Sequence, residues 1–205
     1  MGAVVALDDL LDARRIWRGR PVAAPASAQP TGHAALDAAL PTGGWPRGAL
    51  SELLLSEPGL GELSLLWPAL AQLSQAQGEI VLVDPPCVPF APAWRAAGVV
   101  LERLHLLQAP PKQALWAVEQ CLRSGACAAV VFWPQRVDDR ALRRLQVAAE
   151  SGRSLGFALR PVEAAANPSP AALRIAVDRV PRQLRVLKCR GGLAPPQPIA
   201  FARAH

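Results

Sequence analysis

Near-continuous apolar runs alternate with amphipathic stretches along most of this chain, and that alternation limits its possible folds more than any other feature. The runs are Ala49–Ser56, Glu79–Asp84, Arg103–Gln108, Ala128–Trp133, Ser154–Arg160, Leu173–Val180 and Gln183–Cys189. Apolar residues at helical spacing occupy 33–40, 62–77, 90–97, 111–124 and 138–151. Segments such as IVLVD and AAVVFW offer no polar face, so they suit strands covered by helices on both sides. Strand and helix in alternation predict an α/β fold with a mainly parallel sheet flanked by helices. The last runs follow one another without an intervening helix, which predicts an antiparallel edge at the C-terminal end of the sheet.

This pattern predicts one domain over residues 31–192, with 193–205 as a C-terminal tail. At 205 residues and 51% apolar content, a chain can bury roughly 70% of its unfolded surface and needs neither disulfide nor metal. Upstream, Leu7, Leu10, Leu11 and Trp17 recur at helical spacing and predict a short amphipathic helix over 7–18. Residues 19–30 are rich in Pro and Ala without periodicity, the composition of an extended linker, so 1–30 reads as a helix and its tether. The cysteines, at 87, 121, 127 and 189, have no CxxC or CxxH spacing, which argues against a zinc site and fits a reducing cytoplasm. Acids at 8, 9 and 12 break the opening apolar stretch, so no export leader is expected. The charge-free stretch 63–78 is too short and too polar to span a bilayer, and no membrane partner is expected.

A phosphate-binding loop would sit where the first core strand, ALSELLL, turns into the helix that starts in SEPGLGELSLL. Such a loop needs Gly, four residues, Gly, Lys and then Ser or Thr. Aligned on Gly61, this chain has Ser56, four residues, Gly61, Glu62 and Leu63. A unit charge ~4 Å away at an effective dielectric of about 20 is worth on the order of 4 kcal/mol, and Lys to Glu changes it by roughly twice that. Micromolar affinity amounts to only about 8 kcal/mol. Glu62 is expected either to turn into solvent or to offer its carboxylate to the dipole of the helix it opens. The later strand ends do not supply the missing chemistry. AAVVFWPQ ends in Trp133 where a magnesium-binding acid would stand, and Asp84 reads as a carboxylate capping the turn before Pro85 and Pro86. No cofactor, metal or catalytic residue is therefore expected.

TGHAALDAALPTGGWPRGALSELLL, GLGELSLL, IVLVDPP, AAVVFWPQ and the terminal LKCRGG resemble the ImuA (SulA-like) branch of RecA-like proteins over residues 31–192. The resemblance implies the RecA core, a twisted parallel sheet flanked by helices, and a role in the bacterial DNA-damage response. It implies as partners the polymerase-like ImuB and an error-prone replicative-type polymerase acting in translesion synthesis. The related SulA proteins bind the tubulin-like division protein, which leaves a division inhibitor as an alternative. RecA itself keeps a working phosphate loop and a catalytic Glu after its second core strand. Here position 62 is Glu, position 86 is Pro and position 133 is Trp. A non-catalytic adaptor follows from those departures. An active RecA-type ATPase relying on Asp84 and Arg47 is the remaining alternative.

A binding protein must carry its function on a surface. Asp138 and Asp139 open a helix whose outer part bears Arg140, Arg143 and Arg144, with Arg136 just before it. These arginines suit DNA phosphate, an acidic partner or a solvated face. The excess of 22 basic over 16 acidic residues permits DNA contact without requiring it. RecA proteins pass an N-terminal helix to a neighbouring subunit, so the resemblance implies that Leu10, Leu11 and Trp17 dock on RecA or on a second copy of this chain. The tryptophans at 45, 67, 94, 116 and 133 read as core. Arg185 and Lys188 are an odd number of residues apart and would project from opposite faces of a strand unless it bends.

Overall fold

The computed structural model describes residues 28–57, 61–134, 136–178 and 182–201. The helix expected over 7–18, with Leu10, Leu11 and Trp17, lies outside them. In chain order the elements are β1 (Ala28–Gln29), α1 (Ala34–Ala39), β2 (Trp45–Pro46), β3 (Ala49–Leu55), α2 (Leu63–Gln75), β4 (Glu79–Val83) and α3 (Ala91–Ala96). After a 3-10 turn at Leu101–Arg103 come β5 (Leu104–Leu107), α4 (Ala114–Arg123), β6 (Cys127–Phe132), α5 (Asp139–Gly152) and β7 (Leu155–Pro161). A second 3-10 turn, Val162–Ala166, precedes β8 (Leu173–Asp178), β9 (Gln183–Cys189) and β10 (Ile199–Ala200).

The strands of the main sheet run in the order β10-β9-β8-β3-β7-β6-β4-β5. From β8 to β5 every neighbouring pair is parallel, whereas β9 and β10 pair antiparallel. This is the mainly parallel α/β sheet with an antiparallel edge that the sequence predicts. The unbroken apolar runs are explained by two cores, one on each face. Ile80 and Leu82 of β4, with Ala129 and Val131 of β6, join Leu65, Leu66 and Leu70 of α2. Val81, Val83, Val130 and Phe132 point the other way, onto Val118 and Leu122 of α4 and Leu142 and Leu145 of α5. Each such Leu, Val or Ile contributes roughly 1.5–3 kcal/mol by leaving water. At Gly152 an added Cβ would lie 2.0 Å from the Leu122 carbonyl oxygen, so the close of α5 meets α4 only as glycine.

One charged cluster interrupts the apolar strands. Glu52 of β3 is fully buried, and its carboxylate accepts from Arg160 of β7 and, at 2.6 Å, from Arg174 Nε of β8. The rest of the Arg174 guanidinium donates to the carbonyls of Ala164 (2.7 Å) and Asn167 (3.1 Å), which secures the 3-10 turn after β7.

Two short strands fall in segments read from sequence as linker and tail. β1 pairs with β2, and β10 pairs with β9. The β8–β9 register shifts so that Lys188 faces Arg174 while Arg185 faces Ala176. Leu187 is thus the extra residue of a bulge, and Arg185 and Lys188 come to the same face, not opposite ones. No described helix is long and apolar enough to cross a membrane.

Candidate functional site

In open α/β sheets the crevice at the carboxyl ends of the strands, where the strand order reverses, is where ligands bind. Here β3 leads through α2 to β4 on one side, while β7 leads to β8 on the other. Gly61 has φ +74°, a left-handed conformation that glycine adopts freely, and its carbonyl accepts from Ser64 N (2.9 Å) and Ser64 Oγ (2.5 Å). Glu62 precedes α2 with helical φ and ψ, and its side chain makes no capping hydrogen bond. It is only 5% exposed, so it has not rotated into solvent.

A cation does stand beside this loop, though not the one the motif would supply. Arg182, in the turn between β8 and β9, donates through Nη2 to Ser64 Oγ (3.2 Å) and lies 4.5 Å over the ring of Phe201. The Ser64 hydroxyl is therefore engaged on both sides.

The space in front of Glu62 is an apolar cleft of about 520 Å³. Trp67 of α2, Trp94 of α3 and Trp133 after β6 form its walls, and the proline-rich segment 85–90 forms its rim. Trp67 and Trp94 meet edge to face with centroids 6.1 Å apart. On the rim Val88 is 84% exposed and Phe90 70% exposed. The indole N–H groups of Trp67 and Trp133 are buried and have no hydrogen-bond partner among the described residues. Buried indole donors normally find one. The cleft thus presents apolar walls with two unspent donors, beside a buried carboxylate.

The other predicted residues are scattered. Asp84 takes a left-handed φ of +48°, and its carboxylate accepts from Ala109 N (2.9 Å), 25 residues on, so it ties the end of β4 to the segment after β5 and does not cap the turn before Pro85 and Pro86 as expected. Arg47 precedes β3, a strand of seven residues that separates it from the loop by ~20 Å, and donates to Gln29 Oε1 (2.6 Å). The two residues on which an ATPase reading would depend are not brought together. Arg136, Arg140, Arg143 and Arg144 are all exposed. Arg143 pairs with Asp139 (2.8 Å) and Arg144 with Glu119 of α4 (3.6 Å), while Arg136 and Arg140 have no ion-pair partner among the described residues. Of the five tryptophans read as core, Trp45 and Trp94 are buried, but Trp116 is 61% exposed on α4. Sequence reasoning missed Arg182, the cleft walls and the rim; the one legible hint was PPCVPF, apolar residues held between prolines directly after a strand.

The family model described as "Cell division inhibitor SulA" matches residues 48–156. Among curated proteins, the cell division inhibitor SulA of Cronobacter sakazakii is 34% identical over 122 residues, covering 57% of this chain and 71% of that protein. Protein RecA of Streptomyces avermitilis is 35% identical over 109 residues, covering 53% of this chain and 29% of RecA. The chain thus spans less than a third of the RecA relatives it matches. The crystal structure of SulA from Pseudomonas aeruginosa aligns at 31% identity and a TM-score of 0.46, covering 54% of this chain and 97% of that one. The family match runs from the residue before β3 into β7 and takes in more than half of the chain, and this protein therefore belongs to the SulA family.

Proposed function

We propose that this protein is a non-catalytic, RecA-like adaptor of the bacterial DNA-damage response that works in the cytoplasm by binding a protein partner. The partner we assign is the ImuB-like component of a translesion-synthesis assembly. The observation that carries this reading is the cleft itself. Where a nucleotide-binding relative would hold phosphate and magnesium, this chain has tryptophan walls, a buried Glu62 and an exposed Phe90 and Val88. Such a site fits a peptide segment that inserts apolar side chains and offers carbonyl oxygens to the indoles of Trp67 and Trp133. A triphosphate would meet a carboxylate and would find the Ser64 hydroxyl already engaged.

The test has two arms. Calorimetry with Mg-ATP should show no low-micromolar binding and no turnover; steady hydrolysis would overturn the reading. Capture of the ImuB-like protein by the full chain should weaken at least about tenfold in Phe90→Ser, since exposed aromatic anchors dominate such interfaces.

A second reading is favoured by the family match over residues 48–156: a division inhibitor that binds the tubulin-like division protein. The same capture experiment, run with both proteins in competition, separates the two.

A further inference from the structure

What fills the tryptophan cleft when no partner is bound is answered by the place where the described chain begins. Ala28 and Gln29 pair with β2, and Gln29 Nε2 donates to Gln72 Oε1 of α2 at 2.9 Å. Gly32 sits against Pro68 of the same helix, where an added Cβ would come 2.2 Å from the proline Cβ. The chain therefore enters the fold along the helix that carries Trp67 into the cleft. Gln72 and Trp67 are ~8 Å apart along the axis of that helix.

Residues 1–27 lie outside the described residues. In them Leu7, Leu10, Leu11 and Trp17 make one apolar stripe at helical spacing, and Gly19 and Pro21 follow as a stop signal. Residues 19–27 join this stripe to Ala28. An extended Pro-rich chain of that length reaches ~28 Å, ample to turn back over α2 to the cleft. A tether this short gives a local concentration on the order of millimolar, so a second copy at micromolar concentration competes poorly.

The chemistry of the two sides also matches. The buried indole N–H groups of Trp67 and Trp133 have no described acceptor, and Val88 and Phe90 on the rim are exposed. A helix leaves the carbonyls of its last turn without intrahelical partners, which at 15–18 places acceptors around Trp17, an aromatic anchor for aromatic walls. Among the described residues lining the cleft the one formal charge is the Glu62 carboxylate, opposite in sign to the arginines at 14, 15 and 18. Arg182, at the Ser64 end, is turned onto the ring of Phe201.

We propose that residues 7–18 dock in the cleft of their own chain, with Trp17 against the tryptophan walls, and cover it until a partner displaces them. This rests on the reading of the cleft as the partner site. A partner then binds only the open fraction of molecules, and its apparent affinity falls by that fraction.

Cys87, exposed on the rim, reports whether the cleft is covered. In the full chain with no partner present, iodoacetamide should label Cys87 slowly, followed by peptide mass, and Trp17→Asp should speed the labelling at least about tenfold. An unchanged rate would overturn the proposal. Circular dichroism confirms that each variant is folded. In a second measurement the full chain carries Arg18→Cys with Cys121→Ser, Cys127→Ser and Cys189→Ser, and copper-phenanthroline is the oxidant. A monomer lighter by two hydrogens, with positions 18 and 87 joined in the peptide map, supports docking in cis, and adding Trp17→Asp should lower its yield at least about fivefold. A covalent dimer, which makes a second copy the occupant, or a yield indifferent to Trp17→Asp, would overturn it. Capture of the ImuB-like protein keeps the two readings apart. Trp17→Asp should strengthen capture, whereas Phe90→Ser should weaken it. If Cys87 is not protected while Phe90→Ser still weakens capture, the covering segment fails and the partner site stands; if Cys87 is protected and capture ignores Phe90→Ser, the partner site fails.

Discussion

Glu52 shows how one side chain can hold three strands. Its carboxylate is fully buried and answers two guanidiniums that are themselves only 7% exposed. Removing the negative charge leaves two buried cations facing each other, and breaking a buried pair costs about 3–5 kcal/mol. Glu52→Gln should therefore lower unfolding stability by that order in a urea titration, whereas a loss under about 1 kcal/mol would mean that Arg160 and Arg174 find water. In the sequence this cluster was visible only as Glu52, Arg160 and Arg174, charges set among the apolar residues of three strands. Nothing in ALSELLL, LGFALRP or LRIAVD says that these charges meet, because their meeting depends on β7 and β8 flanking β3, and strand order is not written in local periodicity.

Elements with a pattern of their own were legible; those formed by contact were not. The principal strands and the helices after residue 31 were read within a few residues, because each run is long enough to show its period. β1, β2 and β10, of two residues each, have no period and exist only through pairing. The bulge at Leu187 escaped for the same reason, since an extra residue is defined by its partner strand. Helix α5 was read with its acids first, and the structure shows the mechanism: Asp138, in extended conformation, accepts from Ala141 N at 2.7 Å. Asp138→Ala should cost about 1 kcal/mol in a thermal or urea melt. A neutral outcome would mean that another group takes over the Ala141 amide. At the site, Gly61 and Glu62 were legible from motif spacing, but Arg182 was not, because it arrives from a turn far along the chain.

At the scale of the molecule, the two ends of the described chain converge on the N-terminal part of α2. His33 meets Phe201 edge to face at 5.1 Å, and Arg182 covers the same ring. Pro68 has no amide to give to the Ser64 carbonyl, and that carbonyl and Leu65's favour the charged form of the imidazole. Burial holds His33 below its ordinary value of 6.5, outweighing these carbonyls and Asp37, which favour the charged form. The unfolded chain thus binds the proton more readily than the folded one. His33 contributes full stability above its unfolded value and loses it as pH falls from there toward the folded value. Thermal melts between about pH 8 and about pH 5 should show this decline, and His33→Phe, which keeps an aromatic against Phe201, should flatten it. An unchanged slope would place the titration elsewhere.

The rim of the cleft carries prolines at 85, 86 and 89, whose rings fix much of its backbone before anything arrives. Little ordering entropy remains to be lost there on association, so affinity at this edge depends on shape match more than on loop closure. A visitor must supply the adaptability: a pliable strand-like tail can mould itself to the tryptophans, while a stiff globular face has to arrive already complementary.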